Sequence, residues 1–293
     1  MRIFVITKKT LILIAAAGAV LIAAAIAAVL LFGGKTAKAR ETSALPDSYP
    51  DPVYSKTNVK AGELLPAEEC REAEVLAGFK KELPVYSVFR NDKKIALTID
   101  AAWDDDKTPF ILETLKKYDI KATFFLCGFW VKAYPDMVKA IYDAGHSIGN
   151  HSMTHPHMTK LGEAQMLKEM DELDDLLEKL TGERPKLFRA PFGEYNDAVI
   201  KTVRASGREP IQWDIDTIDW KPERSSQKIL DSVLPKIKDG CIILCHNNGY
   251  KIEEYLPTLI ETAIANGYEF VTVDELLLKG DTVIDVNGVQ KLE

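Results

Sequence analysis

From residue 93 onward, short apolar runs alternate with amphipathic stretches, and this alternation narrows the possible folds more than any other feature of the chain. The apolar runs cover 95–100, 122–126, 147–150, 187–190, 211–214, 241–245 and 270–273. Their length, their β-branched and aromatic content and their polar boundaries predict strands. Between them, 108–117, 131–144, 163–180, 197–205, 226–237 and 255–265 space their apolar residues as helices do. Seven such alternations predict an α/β chain folded as a distorted (β/α)7-8 barrel, not a bundle or a sandwich. A doubly wound open sheet is the competing architecture. No G-x-G-x-x-G follows the first strand, so nothing points to a dinucleotide site.

A second apolar feature precedes the barrel. Residues 11–32 are an unbroken run of 22 Leu, Ile, Ala, Val, Gly and Phe residues. As a helix this run spans roughly 33 Å, enough to cross a bilayer. Arg2, Lys8 and Lys9 precede it and Lys35, Lys38 and Arg40 follow, so charge alone leaves its orientation open. A cleavable signal core is shorter, about 7–15 residues. The expected reading is therefore an uncleaved single-pass anchor, and cleavage would export the rest of the chain equally well. The organisation that follows is a cytoplasmic N-terminus at 1–10, an anchor at 11–32 and an extracytoplasmic spacer at 33–85. The spacer's first part, 33 to about 62, is rich in Lys, Ser, Pro and Asp, and 66–80 could form one short helix. The barrel takes 86–278, and a tail or small hairpin takes 279–293, turning at Val286-Asn287-Gly288-Val289. The net charge of −7 and the lack of a basic stripe with interleaved aromatics argue against a nucleic-acid partner, and no protein partner is inferred. Cys127, Cys241 and Cys245 read as buried free thiols; with Cys70 they contain no Cys-x-x-Cys pair for zinc.

Histidine is the informative residue type. There are five, and four of them (His146, His151, His155 and His157) crowd into one short segment, with His246 far downstream. His151 and His155 are four apart, so a helical turn puts both imidazoles on one face, a suitable spacing for two ligands of one divalent metal. His146 and His157 would point elsewhere and read as structural. Barrel enzymes place their chemistry at the C-terminal ends of the strands. Those ends carry Asp100, His151, Arg189, the Asp216–Asp219 pair and His246, a set that suits metal-assisted hydrolysis. A sugar-cleaving carboxylate pair leaves the two-histidine site unexplained.

Five motifs in this order resemble the polysaccharide deacetylases of the NodB homology type, carbohydrate esterase family 4, over about residues 93–275. They are LTID at 97–100, HSMTH at 151–155, RAPFG at 189–193, DTIDW at 216–220 and LCH at 244–246. LPVYSVFRNDKKIALTIDAAW is most similar to the sporulation-associated branch. The resemblance implies that Asp100 is the general base for the attacking water, with Arg189 keeping it ionised. It implies that His246 is the general acid toward the leaving amine, with Asp219 favouring its protonated form. The backbone N–H near Phe192, after Pro191, becomes the oxyanion donor, and Trp220 and Leu244 become apolar walls for the acetyl methyl. His151 and His155 become ligands of a divalent metal, zinc being the expected one.

The chain departs from the family pattern at one point. The first motif usually carries two adjacent aspartates, base then metal ligand, and here Ala101 follows Asp100. Asp104, Asp105 and Asp106 offer a substitute ligand from the next loop; otherwise they are a solvated charge run. The implied function is a membrane-anchored, metal-dependent hydrolase that removes N-acetyl groups from peptidoglycan or a related N-acetylated glycan. Two alternatives are a catalytically silent glycan-binding module and a deacetylase specific for muramic acid.

Overall fold

In a computed structural model, residues 81–293 are described. The anchor run at 11–32, most of the spacer and the expected helix at 66–80 lie outside the described residues. Among those described, no helix is long and apolar enough to cross a membrane.

The sheet is built outward from β2 (Lys94–Ala101), which is buried along nearly its whole length. On one side β2 pairs with β3 (Thr123–Leu126), followed by β4 (Ser147–Asn150), β5 (Leu187–Phe188) and β6 (Glu209–Pro210). On the other side it pairs with β8 (Ile242–His246), followed by β7 (Ile215–Asp216). β9 (Glu269–Phe270) joins the first two residues of β2. Every one of these pairings is parallel.

A parallel sheet buries both faces, so its strands serve two cores. Ile95, Leu97, Ile99 and Ala101 of β2 and Ile243 and Cys245 of β8 belong to the outer apolar cluster, with Leu256 and Leu259 from a covering helix. Ala96, Phe125 and Ile242 belong to a second cluster inside the curl, with Val85 and Ile211. Side chains alternate along a strand, so Thr98 and Asp100 share the inner face with Ala96.

The covering helices are α1 (Thr108–Lys117), α2 (Gly128–Ala133), α3 (Pro135–Asp143), α4 (Glu163–Thr181), α5 (Asp197–Ala205), α6 (Ser226–Val233), α7 (Ile252–Ala265) and α8 (Val273–Leu276). Three expected elements differ, each for a local reason. The single helix expected at 131–144 is two. Pro135 has no N–H to continue the ladder and drives Tyr134 out of the helical region, to φ −130° and ψ 55°. The helix expected at 226–237 loses its α form after Val233, and Pro235 sits in a tighter 3-10 turn. The strand expected at 270–273 ends at Phe270, because Thr272 caps α8: its hydroxyl accepts from Glu275 N, and the Glu275 carboxylate accepts from Thr272 N.

The strand expected at 211–214 marks a larger difference. The backbone there crosses from one edge of the sheet to the other. Ile211 N donates to Phe188 O, while Asp214 N donates to Ile242 O. The sheet is therefore curled like a half-barrel, and the link between β6 and β7 is the covalent chain itself instead of a hydrogen-bonded ladder. Val85 lies in this seam, bridged to Ile211, with its carbonyl accepting from Gln212 N.

Residues 279–293 contain a hairpin of β10 (Thr282–Ile284) and β11 (Val289–Leu292). β11 also pairs with β1 (Ser87–Val88), so both flanks of the barrel segment meet in one small sheet.

Candidate active site

The centre of the site is set by strand register. Asp100 ends β2 and His246 ends β8, and the two are direct partners across that ladder. Their motifs stand far apart in sequence, yet the parallel pairing brings them side by side on the inner rim.

Arg189 follows β5 and is fully buried beneath them. Its Nη1 donates to Asp100 Oδ1 at 2.6 Å and to Thr98 Oγ1 at 2.9 Å, and Nη2 donates to Gln212 O at 3.1 Å. The guanidinium carbon lies 4.1 Å from the centroid of the Phe125 ring, a cation–π contact. Burial alone would raise the Asp100 carboxyl, but the Arg189 guanidinium reverses this and holds it below its ordinary value. Asp100 is therefore ionised, with one oxygen engaged and Oδ2 turned toward the histidines.

His246 is held from behind by Asp219. The Nδ1–H of His246 donates to Asp219 Oδ1 at 2.8 Å, so Nε2 faces the rim. Asp219 Oδ2 accepts from His246 N at 3.1 Å and from the Tyr255 hydroxyl at 2.6 Å. Burial opposes charge on the imidazole, but the Asp219 hydrogen bond and charge outweigh it and raise its pKa above the ordinary 6.5. Space for this carboxylate depends on Gly249, where an added Cβ would stand 2.2 Å from Asp219 Oδ2.

His151 and His155 come from the loop after β4, not from a helix: both His155 and Ser152 have left-handed backbones, with φ of +56° and +65°. The four-residue spacing brings the rings together by a different geometry, with centroids 5.0 Å apart. Asn150 builds the loop. Its Oδ1 accepts from Ser152 N at 2.8 Å, and its Nδ2 donates to Met170 O and to Asp174 Oδ1. Behind it, Arg208 Nε donates to Asp174 Oδ2 at 2.8 Å.

The two imidazoles suit a divalent metal. His151 Nδ1 lies 2.8 Å from the Arg189 carbonyl oxygen, which can only accept, so Nε2 is left with its lone pair. That Nε2 is 3.6 Å from Asp100 Oδ2. Burial keeps both rings neutral, depressing His151 and pushing His155 down to about 3. Neutral nitrogens beside a carboxylate are the donor chemistry of zinc and its neighbours. No further protein ligand joins them: among the described residues, no group of three or more His, Cys, Asp and Glu is arranged to hold a metal. Ala101 packs into the outer apolar cluster. The Asp104–Asp106 loop, the expected substitute, is tied down by its own backbone. Asp104 O accepts from Trp130 Nε1 and from Asn247 Nδ2, each at 2.6 Å, while Asp104 and Asp106 stay exposed.

The remaining motif residues line the rim. Pro191, which is buried, opens a 3-10 turn that ends at Gly193. Phe192 within it has a left-handed backbone, φ +60°. Gly193 N and Glu194 N close the turn onto Ala190 O and Pro191 O, whereas Phe192 N–H makes no hydrogen bond among the described residues. Leu244 is buried on β8, two residues before His246 on the same face. Trp220 is half-buried just after Asp219. Asp216 is occupied in the backbone, accepting from Ile218 N at 2.7 Å. His146 stands apart from the site, with its Nδ1 accepting from Ala122 N at 3.3 Å. His157, expected to point elsewhere, stacks on the Phe192 ring at 4.5 Å and pairs with Glu194. Sequence reasoning missed Tyr255, Gly249, Asn150, Asp174 and Arg208. Only Asn150, adjoining the HSMTH motif, had a signal to follow.

A family model described as polysaccharide deacetylase matches residues 88–211. Peptidoglycan-N-acetylmuramic acid deacetylase PdaC of Bacillus subtilis is 34% identical over 232 residues, which is 79% of this chain but only 46% of that protein, so this chain spans about half its length. A peptidoglycan-N-acetylglucosamine deacetylase of Bacillus cereus is 34% identical over 190 residues, 64% of this chain and 69% of that one. Among solved structures, BA3943 from Bacillus anthracis, a CE4 family pseudoenzyme, is 37% identical with a TM-score of 0.63, covering 67% of this chain and 69% of that one.

Proposed function

This chain belongs to the polysaccharide deacetylase family, and on that premise we propose that it is a membrane-anchored, metal-dependent de-N-acetylase of peptidoglycan. One observation carries the reading: an ionised carboxylate and a cation-favouring imidazole stand side by side at the ends of β2 and β8, each braced from behind. Acid and base of opposite protonation state within one site are what amide hydrolysis needs.

Asp100 Oδ2 takes a proton from water as the water oxygen attacks the acetyl carbonyl carbon. The lack of a partner for the Phe192 N–H among the described residues supports it as donor to the oxygen that becomes negative. His246 Nε2–H then delivers a proton to the nitrogen as the carbon–nitrogen bond breaks, leaving acetate and a free amine on the sugar. Before the attack, Arg189 keeps the base ionised and Asp219 keeps the acid charged. His151 Nε2 and His155 would hold the divalent ion, zinc or a neighbour, which when bound polarises a carbonyl and makes water more acidic. With Ala101 in place of a second aspartate beside Asp100, the two imidazoles would hold that ion weakly.

The substrate is an N-acetylated sugar of the cell wall. The relatives' names divide between N-acetylmuramic acid and N-acetylglucosamine, and acetate release from each defined sugar decides between them. The apolar run at 11–32 supports export, with residues 86–278 outside the membrane. Protease added to wall-stripped cells would then digest the domain, and protection until lysis would sink the topology.

A second reading, a catalytically silent glycan-binding module, is favoured by Ala101 and by the likeness to a pseudoenzyme. One assay separates the two. Purified full-length protein is incubated with peptidoglycan fragments and added zinc, and acetate is measured with and without chelator. The deacetylase reading expects release that a chelator stops and that replacing both His151 and His155 abolishes. No release from any acetylated fragment leaves the silent module.

A further inference from the structure

Two large apolar rings outside the catalytic set sit exposed on the same rim. Trp103 is 53% exposed and Phe129 37%. An isolated exposed aromatic needs no explanation, but adjacent ones beside a site do. Trp103 and Phe129 have ring centroids 6.0 Å apart. Trp103 also lies edge-on against His155, at 5.1 Å between centroids. His151, His155, Trp103 and Phe129 thus form a row of rings leading outward from the site.

The loop that presents Trp103 is held firmly. The next residue, Asp104, takes a left-handed backbone of φ +53°, and its carbonyl accepts two hydrogen bonds of 2.6 Å, from the Trp130 indole and the Asn247 amide. Trp130 belongs to α2, as does Phe129, and Asn247 follows the catalytic His246. One carbonyl therefore locks the platform to both halves of the site. Holding an apolar ring rigidly in water has no folding benefit; it prepares a surface for a ligand.

We propose that Trp103 and Phe129 form a stacking platform for the pyranose ring adjacent to the one being deacetylated, so that the protein prefers a polymer over a single sugar. A pyranose has one apolar face of C–H groups, which matches the exposed face of an indole. The occupant follows from continuity: a glycan with one acetamide between Asp100 and His246 must run its next ring along the rim. The inference rests on the deacetylase reading for the identity of the chain, but its test reads binding instead of turnover.

Full-length protein carrying His246→Gln, which prevents turnover, is titrated calorimetrically with the N-acetylglucosamine tetrasaccharide and with the monosaccharide. The parent should bind the tetrasaccharide more tightly. Adding Trp103→Ala should weaken tetrasaccharide binding roughly tenfold and leave monosaccharide affinity and melting temperature unchanged. Trp103→Phe should restore most of the loss. Unchanged tetrasaccharide affinity in Trp103→Ala overturns the platform, as does a parent with no preference for the longer glycan. Tetrasaccharide binding that depends on Trp103, in a protein whose wild type releases no acetate, keeps the platform and removes the deacetylase.

Discussion

Among the described residues, two buried aspartate–arginine pairs, one in the site and one behind it, differ in what their oxygens have left to do. Asp174 of α4 has both oxygens occupied, Oδ1 by Asn150 and Oδ2 by Arg208. Asp100 gives Oδ1 to Arg189 and leaves Oδ2 facing His151 at 3.6 Å. Burial and pairing are shared; a spare lone pair on the open side is not. Histidine repeats the contrast. His146 accepts at Nδ1 from the Ala122 backbone and stands apart from the site, whereas His246 donates at Nδ1 to Asp219 and stands beside Asp100. A saturated polar group holds the fold, and an unsaturated one facing a cleft is available for chemistry.

Substitution at the two aspartates tests this most severely. Asp100→Asn should cut turnover by about 10²–10⁴-fold, read as acetate release, while circular dichroism shows the fold intact. Near-normal turnover would make Asp100 another structural carboxylate and dissolve the contrast. Asp174→Asn leaves the buried Arg208 with only the exposed Asp171 as a charge partner and should lower stability by about 1–3 kcal/mol in denaturant titration. Turnover per folded molecule should hold. The contrast breaks if Asp174→Asn spares stability and abolishes activity.

Much of this was readable in advance, and the failures have physical causes. β2, β3 and β8 announce themselves because strands buried on both faces must be apolar at nearly every position. Residues 211–214 look like such a strand but cross the seam, and nothing local separates spanning two edges from lying in one. The motif residues stand at strand ends, where parallel pairing brings distant positions together. The Asn150–Asp174–Arg208 brace was invisible because its members are 24 and 34 residues apart on unrelated elements. The helical face expected for His151 and His155 was wrong in geometry, since left-handed residues shape that loop.

Titration sharpens the histidine half of the comparison. His246 must be charged to act as an acid, and Asp219 raises its pKa, so kcat/KM should fall as pH rises through a value above 6.5. Asp219→Asn should move that alkaline limb to lower pH; a limb that stays in place removes Asp219 from tuning the acid. His146 behaves oppositely. Burial lowers it from 6.5 to about 4, and its neutral Nδ1 accepts the Ala122 N–H. The unfolded chain binds this proton first, so stability is full above pH 6.5 and drains away as pH falls toward 4. The loss at pH 5 is about 2 kcal/mol. His146→Phe should flatten this slope in melts between pH 7 and 5, and an unchanged slope would assign it to other groups.

The pairing of β1 with β11 bears on how the domain is made. Ser87 meets Val289, so one of the first strands waits for one of the last. Contacts of such long sequence separation are slow to form. During synthesis β1 lacks its β11 partner until the final hairpin has emerged, and an unpaired strand edge invites wrong partners. Chains stalled before residue 289 should therefore remain protease-sensitive across the whole domain; early protection would mean that the curl closes without its last strand. For a protein proposed to cross a membrane before folding, late closure has a use: a chain that cannot seal early stays extended enough to be exported.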